Sequence, residues 1–427
     1  MKSLKSFALS GALLASFASS AFATTQFVEI VGAPAFRQDS NTNIAAYVAA
    51  HSGGLTATTG PTSGSADVTS ASANQWLIPG GGTGGADLEI DASFTGSTAG
   101  FESVASGTIT QKFITHNTGS IGTPSVSVST STGETAYQPQ ITLSDTFQAT
   151  TPFNGTKTFY GGASNTLPFT ATYATLTNNQ LGIEPYRWVA SPGAAAAGLT
   201  NITTAQAQAL YKNGQLPLAF FTGNSADEGK WVYGLSRDPG SGARLVVQTE
   251  IGLGATAKLT IYQPTITGGS VDSSGNRVSG TDSTDAFDSV PVAPAEKIPS
   301  TGIWAVAGNS GYAKFGTPSD QLGLLLAITS TPPSGAIFVT YLNIADSTEA
   351  EAAGAQELSY NGNTYSLAAL QEGKYSFWSY EGLFSGTLSA PASTVAAALE
   401  SGWTSVAPIT GVNVSRTQDG GIITQNY

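Results

Sequence analysis

Short apolar runs separated by loops rich in glycine, serine and threonine recur along the chain, and several lead into a helical pattern. Residues 27–31 predict a strand, 32–36 a tight loop, and 42–50 a helix that is capped by Asn41 or Asn43. The order strand, glycine loop, helix is typical of the opening of a parallel α/β unit.

The same order returns further along the chain. The run ADLEIDASF (86–94) predicts a strand that leads into GSTAG (96–100), with a helix starting at FESVA (101–105). Further strands are predicted by QITLSD (140–145), TATYATL (170–176), YRWVAS (186–191), WVYGL (231–235) and the alternating aromatic run KYSFWSYEGLF (374–384). Helices are predicted at 203–214, ended by Gly214, at 366–373 and at 394–402.

Some segments fit more than one structure. ARLVVQTEI (243–251) starts a helix or continues as a strand, and GLLLAIT (323–329) and GAIFVTYLNI (335–344) are apolar helices or strands. Residues 117–137 predict an inserted hairpin or loop, and 263–300 a second polar insertion. No repeat of fixed period is found, which argues against a solenoid or a propeller.

Composition favours a large, weakly charged α/β protein. At 427 residues, two lobes are the natural expectation, and 40% hydrophobic residues supply ample core. The net charge of −12 arises from 16 basic against 28 acidic residues, with no basic cluster. Nucleic-acid binding and attraction to an anionic membrane are therefore not expected. Any anion site must be local and built largely from hydrogen-bond donors.

The N-terminus predicts secretion. Residues 1–23 have two lysines, a short apolar run and AFA before Thr24, the pattern of a secretory signal peptide cleaved after Ala23. The apolar run is shorter than the roughly 20 residues that span a bilayer, so no stable membrane insertion is expected after cleavage. The mature chain would carry a charge of about −14 and be periplasmic or secreted. With 0 cysteines, the chain has no disulfide, catalytic thiol or cysteine-bound metal.

Four loops share the design of a strand end, a small-residue turn and a helix start. They are GAPAF (32–36), GSTAG (96–100), LSDTF (143–147) and RDPGSGA (237–243). Helix N-termini present free N–H groups and partial positive charge, so such loops bind anions. Ordinary turn chemistry explains any single loop about as well.

The order of these loops resembles that of type II periplasmic solute-binding proteins, specifically the phosphate-binding component of ABC importers. RDPGSGA is similar to that family's arginine followed by Gly-Ser-Gly-Thr, FTGSTAGFESV to its second loop, VGAPAF to its first, and SDTFQ to the segment with its aspartate. The resemblance implies an α/β, two-lobed type II fold of mixed sheets flanked by helices, here with β-rich insertions.

The resemblance also implies a set of ligand contacts. Phe36 and Gly242 would act through backbone N–H groups, Ser97 and Ser241 through hydroxyls, and Arg237 through charge-assisted bonds. Asp145 would accept the proton of a protonated oxyanion and so distinguish phosphate from sulfate. Arg244 is expected on the helix surface.

Two positions depart from the family pattern. Ala35 and Ala243 stand where the family has threonines, and each change removes one side-chain donor, about 1 kcal/mol.

The resemblance implies lobe I from 24–171 and 336–427, lobe II from 172–335, and hinge strands near TATYATL and GAIFVTYL. The function it implies is capture of phosphate or a similar small oxyanion between the lobes, for uptake through an ABC permease, with no enzyme activity and no cofactor.

Other features favour ordinary structural interpretations. His51 and His116 lie in predicted loops far apart, so no metal site is expected. Asp87, Glu89 and Asp91 share one face of a strand, which favours a solvated sheet edge over a calcium site.

Two rival functions remain. A secreted structural or adhesive surface protein that reuses the fold is favoured by the low charge, the insertions and the two alanines. A secreted hydrolase ranks last, because the sequence has no nucleophile–base set.

Overall fold

The computed structural model describes most of the chain beyond the predicted signal peptide. The described residues are 25–52, 73–94, 96–119, 121–128, 134–159, 169–237, 241–254, 257, 259–262, 270–271, 277–279, 297–300, 336–403 and 412–426. The predicted element at 323–329 and most of the insertion 263–300 lie outside these ranges.

The helices are α1 Arg37–Ser52, α2 Ser97–Ser106, α3 Thr204–Asn213, α4 Ala219–Thr222, α5 Gly242–Glu250, α6 Ile344–Ala352, α7 Leu367–Gln371 and α8 Ala390–Gly402. The strands are β1 Gln26–Gly32, β2 Ala73–Ile78, β3 Leu88–Ser93, β4 Gln111–Ile114, β5 Ser125–Val128, β6 Glu134–Tyr137, β7 Ile141–Ser144, β8 Gly155–Phe159, β9 Phe169–Tyr173, β10 Thr177–Ala190, β11 Asn201–Ile202, β12 Gln215–Pro217, β13 Trp231–Gly234, β14 Leu259–Tyr262, β15 Ser270–Val271, β16 Arg277–Ser279, β17 Lys297–Ser300, β18 Ala336–Asn343, β19 Gln356–Tyr360, β20 Trp378–Ser385, β21 Val414–Ser415 and β22 Thr424–Gln425.

A mixed sheet organises the molecule. Within the described ranges it has 12 strands, with the main path β12-β13-β18-β10-β20-β7-β1-β3-β2-β5. Parallel pairs join β1 to β3 and β7, and β13 to β18, whereas β20 and β10 are antiparallel to their neighbours on this path. The predicted fold class, an α/β architecture with a mixed sheet flanked by helices, is confirmed.

Local signals explain where the helices begin and end. Thr203 and Gln206 form a capping box at the start of α3, and Gly214 ends that helix in the left-handed conformation, as predicted. The start predicted for α1 was wrong: Pro34 begins a 3₁₀ turn over Pro34–Phe36, which continues directly into the helix at Arg37. The helical alternative is the correct one for 243–251.

Helix α2 likewise starts earlier than predicted, at Ser97 instead of Phe101. Gly96 precedes it with φ 126°, a conformation open to glycine, so the chain turns into the helix immediately after the strand. Ser97 therefore lies at the helix N-terminus, a position that bears on the candidate site.

The two largest of the five hydrophobic clusters among the described residues pack against this sheet as a first and a second core. The first core contains Val28, Ile90, Leu143, Leu383 and Leu399, among others. The second core contains Trp188, Leu210, Val246, Val339 and Phe377, among others. Each core draws on segments far apart in sequence, so each is built by the sheet and not by local contacts.

Strand β10 runs from one core to the other. Its first half pairs with β20 over 177–185, where Leu181 packs on the first core, and its second half pairs with β18 over 186–190 inside the second core. The segment 170–176, near which a hinge strand is expected, overlaps β9, which pairs with β8 in a two-stranded sheet.

The predicted lobe boundary at residue 336 falls at the first residue of β18. The second core takes seven residues from the stretch 337–377, whereas Phe338 and Leu342 belong to a separate cluster; the seven are Ile337, Val339, Tyr341, Leu358, Tyr360, Tyr375 and Phe377. The chain returns to the first core only at β20, through Leu383.

Both predicted insertions contain short strands where they are described. Residues 117–137 include β5, which extends the main sheet beside β2, and β6, which pairs with β4. Residues 263–300 include β15, β16 and β17. Among the described residues, no helix combines the length and apolar character needed to cross a membrane.

The spacing of β1 and β7 depends on Gly32. A Cβ at this position would lie 2.4 Å from the Leu143 carbonyl oxygen, which already accepts a hydrogen bond from the Ala33 N–H at 2.9 Å. We expect Gly32→Ala to lower the free energy of unfolding by about 1–3 kcal/mol, since backbone atoms must move apart. Urea denaturation measures this change.

Gly229→Ala is the matched control, because nothing lies within 4 Å of a Cβ built there. It should change the free energy of unfolding by less than about 0.5 kcal/mol. Equal effects of the two substitutions would contradict the packing argument.

Candidate functional site

A small cavity lies where strand ends and helix starts from both cores meet. It is lined by Ala33, Pro34, Ala35, Asp145, Tyr186, Arg237, Ser241, Gly242, Ala243 and Asn343. The cavity volume is about 10 Å³, which is room for roughly one water molecule. The lining combines an arginine, a carboxylate, three hydroxyl or amide side chains and small residues.

Asp145 is the buried polar centre of this cavity. It follows β7, is 2% exposed, and accepts hydrogen bonds from the Ser97 hydroxyl at 2.6 Å and from the Tyr186 hydroxyl at 2.8 Å. Burial raises the pKa of its carboxyl, although the two hydroxyls and the nearby Arg237 act in the opposite direction. Each carboxylate oxygen keeps a lone pair that can accept a further proton donor.

Gly242 brings the N-terminus of α5 against this carboxylate. A Cβ at Gly242 would lie 1.6 Å from Oδ1 of Asp145 and 2.6 Å from the Ser97 hydroxyl oxygen. Only a glycine allows an approach this close without moving the carboxylate. The partial positive charge of the helix N-terminus faces a negatively charged group there.

Arg237 enters the cavity from the loop after β13. It is 5% exposed, and its backbone N–H donates to the Tyr341 hydroxyl at 3.3 Å, while the Tyr341 and Ser236 hydroxyl oxygens lie 3.0 Å apart. A buried guanidinium at a cavity wall is suited to charge-assisted binding of an anion.

Arg244 supports the same loop from within α5. Its side chain donates to the Arg237 carbonyl oxygen at 3.2 Å and is 3% exposed, so the expectation that it lies on the helix surface was wrong. The reason is that the first two turns of α5, Gly242 to Gln248, are buried on every side.

The hydroxyl of Ser241 acts as a hydrogen-bond acceptor, whereas the hydroxyl of Ser97 acts as a donor. Ser241 caps α5 by accepting from the Arg244 N–H at 3.3 Å, which leaves its O–H free to donate. Ser97 donates its O–H to Asp145, so its proton is already engaged. Of the two, Ser241 is the better donor to a ligand.

Phe36 lies beyond the cavity wall. Its ring is 2% exposed in the first core, at an edge-to-face distance of 5.7 Å from Trp403, and its backbone N–H donates to the Ala33 carbonyl oxygen at 3.1 Å. Residues 33–35 line the cavity instead. Of the six residues named from sequence, Asp145, Arg237, Ser241 and Gly242 line the cavity and Ser97 touches it through Asp145.

Sequence reasoning missed Tyr186 and Asn343. Tyr186 sits in β10 with no motif around it, and only the sheet register brings its hydroxyl to Asp145. Asn343 ends β18 and caps α6 by accepting from the Asp346 N–H at 2.8 Å. The sequence did carry a capping signal there, an asparagine directly after an apolar strand.

Further carboxyl groups lie close enough to Asp145 and Arg237 to interact with their charges. Burial and the neighbouring Glu381 raise the pKa of Glu184 well above its ordinary value. Burial raises the pKa of Asp346 to about 6 although Arg237 favours its ionised form. Burial thus favours the uncharged form of both carboxyl groups.

The C-terminal segment fixes the loop that carries Asp145. Asp419 accepts a hydrogen bond from the Phe147 N–H at 2.9 Å, two residues after Asp145. Burial raises the pKa of Asp419 to about 7, with a smaller contribution from the Asp145 charge. A loop of the first core is thus held by residues more than 250 positions away.

No family model matches the chain, and no curated protein matches its sequence. In structure it is similar to an ABC-type phosphate transport receptor from Vibrio cholerae, with 12% identity, a TM-score of 0.40, and 88% of this chain and 94% of that chain covered. It is also similar to a putative phosphate ABC transporter substrate-binding protein with bound phosphate from Clostridium perfringens, with 9% identity and a TM-score of 0.39. That comparison covers 88% of this chain and 93% of the other. TM-scores below 0.5 say nothing about the ligand of this chain.

The raised pKa of Asp419 predicts a pH dependence of stability. Because its folded pKa of about 7 lies above the unfolded value, the free energy of unfolding should fall as pH rises from about 4 to about 7, by about 3–4 kcal/mol. Asp419→Asn mimics the protonated acid and should remove this part of the slope. Urea denaturation at several pH values measures it.

Glu372→Gln is the control, because this carboxylate is 54% exposed beside Lys374. Its slope should equal that of the unsubstituted protein. If Asp419→Asn also keeps that slope, Asp419 does not hold a proton in the folded state.

Proposed function

We propose that this protein binds a small oxyanion, phosphate above others, in the cavity between Asp145, Arg237 and the N-terminus of α5. Capture would take place outside the cytoplasm, in the periplasm or after secretion, and the bound anion would pass to an ABC-type permease. The role is binding and delivery without bond chemistry.

One observation carries this proposal: a buried arginine and a buried carboxylate line the same small cavity, each set at the end of a strand. Arg237 supplies charge-assisted donors, and Ser241 and Gly242 add a hydroxyl and a helix N-terminus. Asp145 supplies an acceptor, which a protonated oxyanion satisfies and a fully deprotonated one does not.

Binding requires the two cores to separate. The cavity holds roughly one water, so a tetrahedral oxyanion needs Gly242 and Asp145 to part before it enters. We propose that the two cores are the cores of two lobes, and that β10 and β20 act as the hinge, since β10 runs from one core to the other and β20 pairs with its first half. Closure would then surround the anion and remove its water.

Ala35 and Ala243 limit the affinity. Both line the cavity, where a threonine at either position would add a hydroxyl donor. Each missing donor costs about 1 kcal/mol of binding free energy. The proposed ligand is thus held mainly by Arg237, Ser241 and backbone N–H groups.

A structural or adhesive surface role without a ligand is the second candidate. The narrowness of the cavity and its two alanines favour it. Under this hypothesis the contact between Gly242 and Asp145 is a permanent joint between the cores.

We expect the mature chain to bind phosphate in calorimetric titration with a sub-millimolar Kd. Arg237→Ala should weaken binding at least about 100-fold, since a hydrogen bond to a charged group contributes about 1.5–3 kcal/mol and the guanidinium offers more than one. Arg187→Ala is the matched control: this arginine pairs with Glu351 at 2.9 Å, does not line the cavity, and should leave the affinity unchanged.

An absence of heat and of thermal shift with millimolar phosphate, sulfate or organic phosphates would reject oxyanion binding and favour the second candidate. Binding that survives Arg237→Ala would move the anion site elsewhere on the protein.

The Asp145 carboxylate is expected to make the protein prefer phosphate over sulfate. Its carboxylate accepts the proton of hydrogen phosphate but repels sulfate, which carries no proton at neutral pH. Asp145→Asn should reduce the ratio of phosphate to sulfate affinity by about tenfold or more. Competition calorimetry with both anions measures the ratio.

Asp87→Asn serves as the control, because Asp87 accepts bonds from the Gly80 and Ile121 N–H groups and does not line the cavity. Both variants should first be shown to keep a cooperative unfolding transition. An unchanged ratio in Asp145→Asn would contradict the assigned role of the carboxylate.

A further inference from the structure

A second cluster of ionisable side chains lies on the sheet face opposite the first core. Glu29, Asp91 and Gln75 form a row across β1, β3 and β2, because Asp91 is the register partner of both other residues. Glu89 lies two residues before Asp91 on the same face, and His116 follows β4 above it. The cluster belongs to no part of the anion cavity.

The sequence led to a different expectation for this strand. Glu89 and Asp91 were assigned to a solvated sheet edge, but both are 0% exposed. The assignment was wrong because β3 lies between β1 and β2, inside the sheet, and not at its edge. No metal site was expected from the two distant histidines, but the fold brings His116 to this strand.

The imidazole ring of His116 is held rigidly over the carboxylates. It stacks on Phe27 at 4.0 Å and on Tyr137 at 3.5 Å, with interplanar angles of 9° and 1°. Its Nε2 atom lies 3.2 Å from Oε1 of Glu29 and 3.5 Å from Oδ2 of Asp91. A ring fixed on both faces presents its nitrogen in one direction.

Neighbouring donors orient two of the three carboxylates. Gln75 Nε2 donates to Glu89 at 2.8 Å, the Asn117 N–H donates to the same carboxylate at 3.0 Å, and Gln140 Nε2 donates to Glu29 at 3.0 Å. Outer donors of this kind fix the orientation of metal ligands in proteins.

Asp91 differs from the other two carboxylates. Within the described part of the chain, neither of its buried oxygens accepts a hydrogen bond, and Nε2 of His116 also makes none. No described lysine or arginine forms an ion pair with these carboxylates. A fully buried carboxylate with no donor is expensive unless a cation or a proton compensates it.

We infer that Glu89, Asp91 and His116 bind a divalent transition-metal ion such as Zn²⁺, with the Glu29 carboxylate beside it as a fourth ligand. The three named residues each have a ligand atom within 4.8 Å of the others. Ligands about 2.0–2.1 Å from a tetrahedral ion lie about 3.3–3.4 Å from one another, close to the 3.2 and 3.5 Å separations at Nε2.

The donor set selects the class of metal. One imidazole with two or three carboxylates suits Zn²⁺ or Mn²⁺, whereas Ca²⁺ and Mg²⁺ prefer oxygen ligands alone. Access is from the side of His116, whose side chain is 15% exposed. The competing occupant is a proton, because burial and the nearby Glu89 charge raise the pKa of Asp91 to about 9.

The test is calorimetric titration of chelator-treated protein with Zn²⁺, with Mn²⁺ and Ca²⁺ as comparisons. We expect one Zn²⁺ per chain and a Tm that rises with Zn²⁺ concentration. Loss of an outer-shell partner weakens metal binding by about 10- to 100-fold. Asp91→Asn and His116→Gln each remove a direct ligand and should weaken Zn²⁺ binding by more than this. His51→Gln is the matched control, because the chain has only 2 histidines and His51 lies at the end of α1.

X-ray absorption of the Zn²⁺ complex of His51→Gln keeps the test independent of how the site variants fold. It should show one imidazole and otherwise oxygen ligands. No saturable Zn²⁺ binding, Ca²⁺ bound as tightly as Zn²⁺, or loss of the imidazole signal in His51→Gln would each overturn the assignment. If no saturable Zn²⁺ binding is found, protons and not a metal ion balance the negative charge of the cluster.

Discussion

The contact between the Asp145 carboxylate and the N-terminus of α5 is the constraint on which the centre of this molecule depends. A carboxylate of the first core touches a helix of the second, and a glycine, Gly242, is the residue that makes the contact sterically possible. The helix N-terminus and Arg237 offset part of the cost of burying the charge, while hydroxyls from Ser97 and Tyr186 hold it in place. Any motion that separates the cores must first break this contact.

Strand β10 is a second, covalent connection between the two cores. It continues from the first core into the second and places Tyr186 where its hydroxyl reaches Asp145. The strand therefore links the position of the two cores to the orientation of the carboxylate. An anion bound between Asp145 and Arg237 would contact elements of both cores at the same time, as closure of two lobes around a ligand requires.

The cavity at Asp145 and the acidic cluster on β3 compensate buried carboxylates in different ways. At the cavity, donors and a helix N-terminus surround one carboxylate, whereas at β3 several carboxylates converge with few donors. In the second case only a cation or protons can balance the charge. This difference is the reason that one site is assigned to an anion and the other to a metal ion.

The sequence by itself determined the local elements and the order of the loops. Short apolar runs predicted β1, β3, β7 and β13, the signals at Thr203 and Gly214 predicted α3, and glycine and serine marked the loops with Asp145 and Arg237. These are short-range effects of backbone sterics and capping, which neighbouring residues decide. Only the tertiary structure decided that β3 is central, that Arg244 is buried, and that Tyr186 and His116 reach carboxylates distant in sequence. Sheet order and register decide such contacts, and they depend on packing between segments that no local pattern encodes.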